Sequence, residues 1–520
     1  MKIMLPLGCG IALLFAFVAE AAPAAANLLP LAERAVAGDA EATGRLRQAG
    51  PEGLQALLLV NRAMVGDLRG NRVPLDSPAV AGLRQALDAV ARQRDAYASG
   101  LYWFTDLEAA KAEAKRTGKL IVSLRLLGNL DDEYSCANSR FFRTVLYANA
   151  EVSKELRDHY ILHWKSVRPV PRITIDMGDG RRIQRTITGN SIHYVLDAEG
   201  TVIDALPGLY GPKAFLAGLE RARYADNGNL EKWHGLEADR LRKEWLQDAL
   251  QGGAYGVKPG RQWRLNAEEY QALRDRAFPR GPGELVAPNM VDQLLSKARD
   301  ASHHKQGTAQ APRPFVQGKT PDAFAPPAVG KSMVERPILK QVMPETSRQQ
   351  AEAVEAEQAG PAGTSGNPAW LPPLVEVMTP ALWKTIAGLH ANETRLDESS
   401  RRFMMAKLPQ DSVSAAERKT GSVSDEHTPF ARTLRHFEQA IAEDTVRNEF
   451  LMHTQIHQWL EAPANQPLSH DVDALNKKVY AELFLTPDYD EWLGLVPEDT
   501  YTALEKDGCA CDKGAPPMRK

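Results

Sequence analysis

Cysteine is almost missing from this chain: four residues in 520, one of them, Cys9, inside an N-terminal apolar stretch. A disulfide framework is therefore excluded, and stability has to come from a packed core. A chain of this length with 43% hydrophobic residues can build one. An excess of one charge is missing too. The formal net charge is −3 and no basic stripe is present, so no nucleic-acid partner is expected. There is no Gly-rich phosphate loop, no Gly-x-Ser-x-Gly elbow and no zincin motif; Ser191, in Gly189-Asn190-Ser191-Ile192-His193, is the wrong setting for a hydrolase nucleophile. Asp176-Met177-Gly178-Asp179-Gly180 lacks the ligand ladder of a calcium loop and reads as a turn. Beyond the N-terminus no apolar run is long enough to span a membrane.

The N-terminus carries Lys2, the apolar stretch Leu5 to Val18, and small residues around Ala19-Glu20-Ala21-Ala22-Pro23. Charge, short apolar core and small residues predict a secretory signal peptide over 1–21, with Ala24 to Ala26 as a second cleavage site. Pro6-Leu7-Gly8 ahead of Cys9 is a poor lipobox. The expected location is periplasmic or secreted. Signal removal leaves Cys136, Cys509 and Cys511. An odd count in an oxidising compartment implies a free thiol, an intermolecular bond or a metal ligand.

Cys136 stands out. It follows the apolar run Leu120 to Gly128 and the acidic loop Asp131-Asp132-Glu133, and it precedes Ala137-Asn138-Ser139-Arg140-Phe141-Phe142. The pattern predicts strand, loop, then a helix with a thiol at its mouth. Unpaired N–H groups, the helix dipole, Arg140 and Arg143 would all favour the nucleophilic thiolate there. The competing reading is a buried core cysteine.

Around Cys136 the chain alternates. Residues 27–100 are helical and alanine-rich, with a helix capped by Ser77 that carries Val80, Leu83, Leu87 and Val90. Residues 101–224 read as α/β: a helix over Asp106 to Lys115, the Leu120 strand, a helix from Val152, and a strand over Tyr160 to Lys165. Hairpins turn at Gly178-Asp179-Gly180 and at Gly200, and a helix runs from Pro212 to Arg221.

Asp106-Leu107-Glu108-Ala109-Ala110 through Gly118-Lys119-Leu120-Ile121-Val122 resembles the start of a thioredoxin-like domain. Phe141-Phe142-Arg143 to Glu151-Val152 and His159-Tyr160-Ile161-Leu162 are similar to that family's following helices and central strand. Val195-Leu196-Asp197-Ala198-Glu199-Gly200-Thr201-Val202 is similar to its final hairpin, and Gly208 to Leu216 to its last helix. The resemblance covers roughly a quarter of the chain and implies a thioredoxin-like fold. It also implies thiol–disulfide oxidoreductase or isomerase chemistry at Cys136, with Ser139 where the second cysteine of Cys-x-x-Cys would be. Asn190 or Ser191 occupies the place of the proline that shapes the substrate groove. Cys-x-x-Ser can attack a disulfide but has no local sulfur to release it. The alternatives are a monothiol exchanger, a mixed-disulfide trap and a redox-inactive scaffold or adaptor.

The fold expected is thus an α/β thioredoxin-like domain between an N-terminal helical region and a C-terminal mainly α-helical domain. Residues 225–300 form a helical extension, 301–369 a disordered linker rich in Pro, Ala and Gln, 370–507 the helical domain and 508–520 a tail. In that tail Cys509-Ala510-Cys511 reads as a resolving pair for Cys136, a soft-metal chelate or an ordinary tail. In the helical domain Glu449, His453 and His457 share one face of a helix starting at Thr428-Pro429, which makes them candidate metal ligands. His436 and His427 are candidates to complete the set; the competing reading is hydrogen-bonded core histidines. The partners expected are exported proteins with thiols or disulfides, and no organic cofactor is implied.

Overall fold

A computed structural model describes residues 27–186, 189–225, 228–257, 259, 267–278, 373–408, 413–423, 428–461, 468–484 and 486–488. The signal peptide, the 301–369 linker, His427, Cys509 and Cys511 lie outside the described residues.

Six helices open the described chain: α1 (Leu29–Val36), α2 (Ala40–Gln48), α3 (Pro51–Val60), α4 (Arg62–Arg69), α5 (Pro78–Ala91) and α6 (Ala96–Ser99). Asp39 starts α2 by accepting the Ala42 N–H at 3.0 Å, and proline sits in the first turn of α3 and α5, where no N–H is needed. Ser77, expected to cap α5, makes no side-chain cap bond; Pro78 alone sets that start. Leu46, Leu57, Leu83, Leu87 and Val90 fill a core of this region's own, completed by Phe403 from the far end of the chain.

The next stretch builds the sheet: β1 (Trp103–Phe104), α7 (Leu107–Thr117), β2 (Leu120–Leu127), α8 (Ala137–Phe141) running into a π-helical turn (Phe142–Leu146), α9 (Ala150–His159), β3 (Tyr160–Arg168), β4 (Arg172–Asp176), β5 (Arg182–Thr186), β6 (Ser191–Leu196), β7 (Val202–Pro207) and α10 (Pro212–Arg223). The strand order is β1-β3-β2-β6-β7, while β4 and β5 pair apart as a hairpin. β1, β3 and β2 run parallel; β6 and β7 are antiparallel to their neighbours. This mixed α/β sheet with helices is compatible with a thioredoxin-like fold.

Further helices are α11 (Leu230–Gly252), α12 (Ala267–Ala277), α13 (Pro380–Leu389), α14 (Glu398–Lys407), α15 (Ala415–Thr420), α16 (Pro429–Arg447), α17 (Thr454–Leu460) and α18 (Val472–Lys478). π-helical turns join α16 to α17 (Asn448–His453) and extend α18 (Val479–Leu483). Such turns insert one residue into a helix and often mark functional sites. These helices share one continuous core with the sheet. Trp245 of α11 stacks on Phe450 and on Trp383, each at 6.0 Å, and the 448–453 turn packs against β7. No helix among the described residues is long and apolar enough to cross a membrane.

Because the helices cover the sheet, β2, β6 and β7 are buried along nearly their whole length. Strands buried on both faces are normally apolar throughout. Ser123, Arg125, His193 and Asp204 interrupt that rule, as does buried His163 on β3. Each polar side chain there needs a partner, because an unpaired one costs about 1–3 kcal/mol.

Candidate functional site

Cys136 sits at the strand-to-helix turn expected of it. Its N–H donates to the Leu127 carbonyl at 3.3 Å, and its sulfur caps α8 by accepting the Ser139 N–H at 3.4 Å. The thiol, however, is 0% exposed. Burial pushes its pKa up, against the lowering effect of the bonds from Ser139, the Leu127 contact and the Arg140 charge. Arg143 is turned away, donating to Asp95 and to the Ser135 hydroxyl. The Ser139 hydroxyl donates to the Cys136 carbonyl at 3.0 Å and is itself buried. The sequence cues place the thiol correctly but not its protonation, since they carry no information on what covers α8.

The expected groove is filled from within. Asn190 and Ser191 are buried at the start of β6. The Asn190 carbonyl accepts the Tyr480 phenol at 3.0 Å, and its amide donates to the Thr486 hydroxyl at 3.1 Å. The chain's own C-terminal segment thus covers the start of β6, where a substrate would lie.

A second cluster is assembled from three parts of the chain. His453 ends the 448–453 turn and presents Nε2 to Asp204 Oδ1 of β7 at 2.6 Å, and Nδ1 to Glu449 Oε2 at 3.1 Å. His457, one turn on in α17, aims Nε2 at the same Asp204 oxygen at 3.4 Å; its Nδ1 lies 2.9 Å from Nδ1 of His234, on α11. Glu449 is held in turn by Arg221 at 3.0 Å. Asp204, His453 and His457 offer ligand atoms that all lie within 4.8 Å of one another, and all three residues are buried. Of the sequence candidates, His453 and His457 come together and Glu449 takes the far nitrogen of His453. His436 is exposed and does not join. Asp204 and His234 were not legible as members.

Electrostatics follow from that packing. Burial opposes charge on His453, but Asp204 and Glu449 outweigh it and raise its pKa to about 9. Burial and the His453 charge drive His457 well below the ordinary histidine value. Burial likewise lowers His234, to about 4. Burial would raise both acids, yet His453 and the neighbouring cations hold Asp204 and Glu449 well below the carboxylate range. Two neutral imidazoles sharing an Nδ1···Nδ1 bond need one N–H between them. When His457 donates it, the His457 Nε2 lone pair points at the Asp204 carboxylate. His457 Nε2, Asp204 Oδ2 and His234 Nε2 are all buried without a hydrogen-bond partner among the described residues.

Two further buried clusters are joints. Ser123 bonds His163 Nδ1 at 2.8 Å, but Arg125 also donates to that serine and then to Asp473 of α18 at 3.0 Å, so the set ties sheet to helix. Burial and Arg125 push His163 down to about 3. His193 accepts the Tyr147 phenol at 2.6 Å within a shell of Phe142 and Phe215.

No family model matches the chain, and no curated protein or solved structure matches it. Function has to be argued from this geometry.

Proposed function

We propose that this chain is an exported thioredoxin-like protein whose working centre is a buried divalent-metal site, with Asp204, His453 and His457 as ligands. The observation that carries the reading is the convergence of those three ligand atoms with the far nitrogens already held, His453 by Glu449 and His457 by His234. Metal-bound imidazoles are typically fixed in this way by an outer partner. Two imidazoles and a carboxylate suit zinc and its borderline neighbours.

Size agrees. Tetrahedral ligands about 2.0–2.1 Å from zinc lie roughly 3.3 Å apart. The His457–Asp204 separation, 3.4 Å, already has that value. The His453–Asp204 pair, now at hydrogen-bond distance, would have to open by roughly 0.7 Å for a metal to take the place of the proton on Nε2. Asp204 Oδ2 has no hydrogen-bond partner among the described residues, so the carboxylate would be free to turn toward a metal. The ligands come from the sheet and from the 448–460 helix, so the metal fastens the two together.

Thiol exchange through Cys136 has less support, because the sulfur is buried, its thiol form is favoured and the groove beside Asn190 is closed. The deciding experiment is metal analysis of the full chain after zinc loading and dialysis, beside His457→Ala. One zinc per chain, lost in the variant, is the expected result. Substoichiometric metal in the parent after zinc, iron(II), manganese and copper loading would rule the reading out.

A further inference from the structure

α3 and α4 leave a cavity of about 450 Å³, open to solvent, against the end of α6 and the last turn of α9. Its lining mixes apolar Leu58, Leu59 and Val65 with cationic Arg62, Arg69 and Arg157, and no acidic residue is among the described residues that line it. Leu59 is 59% exposed although it is a large apolar side chain.

Two of the arginines are held in place. Arg69 Nε donates to the Tyr97 carbonyl at 2.7 Å, and Arg157 donates to the Ser99 carbonyl at 2.5 Å, so the short helix α6 braces both guanidinium groups. They face one floor. A Cβ on Gly100 would sit 3.4 Å from a terminal nitrogen of Arg69 and 4.0 Å from one of Arg157. Gly100 has φ +64, where a side chain would be strained, and its bareness leaves that floor open. Arg62 has no ion pair among the described residues, and neither do Arg69 and Arg157. Burial lowers the pKa of Arg69, and the like charge of Arg157 adds to it. Arg69 and Arg157 repel one another across the cavity, with Asp158 the nearby acid acting on Arg157 from outside the lining, so an anion there would relieve like charge.

We propose that this cavity binds an oxyanion, a carboxylate or a phosphate, carried on a short apolar chain. Guanidinium forks match the paired oxygens of both headgroups, and braced forks lose little freedom on binding. Leu58, Leu59 and Val65 give the apolar chain something to lie against, and the volume lies in the range of small-molecule sites. The site shares no residue with the Asp204–His453–His457 centre, so the two proposals stand or fall separately.

Calorimetric titration of the full chain with octanoate and with octyl phosphate tests this, beside acetate, inorganic phosphate and octylamine. The expected result is that at least one octyl anion binds roughly tenfold or more tightly than its short counterpart, while octylamine does not bind. Preference for octanoate assigns a carboxylate source, and preference for octyl phosphate a phosphate source. Arg62→Gln, which breaks no structural bond, and Arg157→Gln should each weaken binding about tenfold, with thermal melting confirming that the variants are folded. Octylamine binding as well as the anions, wild-type affinity in both variants, or no binding of either octyl anion at about 5 mM, where even a millimolar site would show, overturns the proposal.

Discussion

The phenol of Tyr480 donates to the carbonyl of Asn190 at 3.0 Å, seating the π-turn after α18 on the approach to β6. Tyr480 lies close enough to Cys136 to feel its charge. With the start of β6 covered and Cys136 fully buried, the thiol is reachable only through local opening or unfolding.

Iodoacetamide should therefore label Cys136 in the folded protein at least ~100-fold more slowly than a free thiol. The rate should still be rising at pH 9.0, the ordinary value from which burial lifts this thiol. Tyr480→Ala should speed labelling by tenfold or more, through a cavity costing about 3–5 kcal/mol, whereas Tyr480→Phe should cost about 1 kcal/mol. Fast labelling of the parent with a plateau near neutral pH would restore the exchange reading.

Glu449→Gln keeps the shape beside His453 but removes the charge. Zinc affinity, measured by competition with a chromogenic chelator, should fall about 10–100-fold, and Asp204→Asn should fall further because a ligand is altered. Equal affinities in parent and both variants would place any zinc elsewhere.

Asp95, buried, meets Arg84 and Arg143 at 3.3 Å and Lys407 at 2.9 Å. Asp95→Ala leaves Arg143 buried without its carboxylate and should cost about 3–5 kcal/mol in urea unfolding. Lys407→Met should cost about 1 kcal/mol or less, since that lysine is partly exposed. A wild-type midpoint for Asp95→Ala would show that the cluster adds nothing.

His390 gives a pH signature. Burial opposes its charge, but Asp248 at 2.7 Å and Glu393 at 3.0 Å raise its pKa to about 10 from 6.5. A pKa raised on folding stabilises fully below the unfolded value, and the benefit is lost as pH climbs through the folded one. The melting-temperature gap between the parent and His390→Gln should thus be widest near pH 6 and should close towards pH 10. A gap that stays constant over that range would mean His390 is not charged.

Much of the local structure could be read from the residues. The Leu120 strand, the turn at Cys136 and both hairpins follow from apolar runs bounded by glycine or charge, and the structure has them as β2, α8, β4–β5 and β6–β7. The His453/His457 pair was legible because helical spacing alone brings it together. Asp204 was not. A lone carboxylate in Val202-Ile203-Asp204-Ala205 has no partner at any telling interval, and its only signal is a polar residue breaking a strand buried on both faces. His234 lies on a helix whose partner is set by packing across a separation of 223 residues. The cover over Cys136 escaped for the same reason, since Tyr480 and Thr486 reach Asn190 from far along the chain.

Asp204 and His453 are 249 residues apart. At common rates of synthesis the ribosome delivers the second roughly 10–50 s after the first. Throughout that interval Asp204 lacks the two imidazoles that meet it in the folded protein, on a surface destined for the interior. Such a sheet has reason to stay loose until the last helices emerge. A chain cut short before residue 453 would be left with an open, charged seam for quality control to recognise.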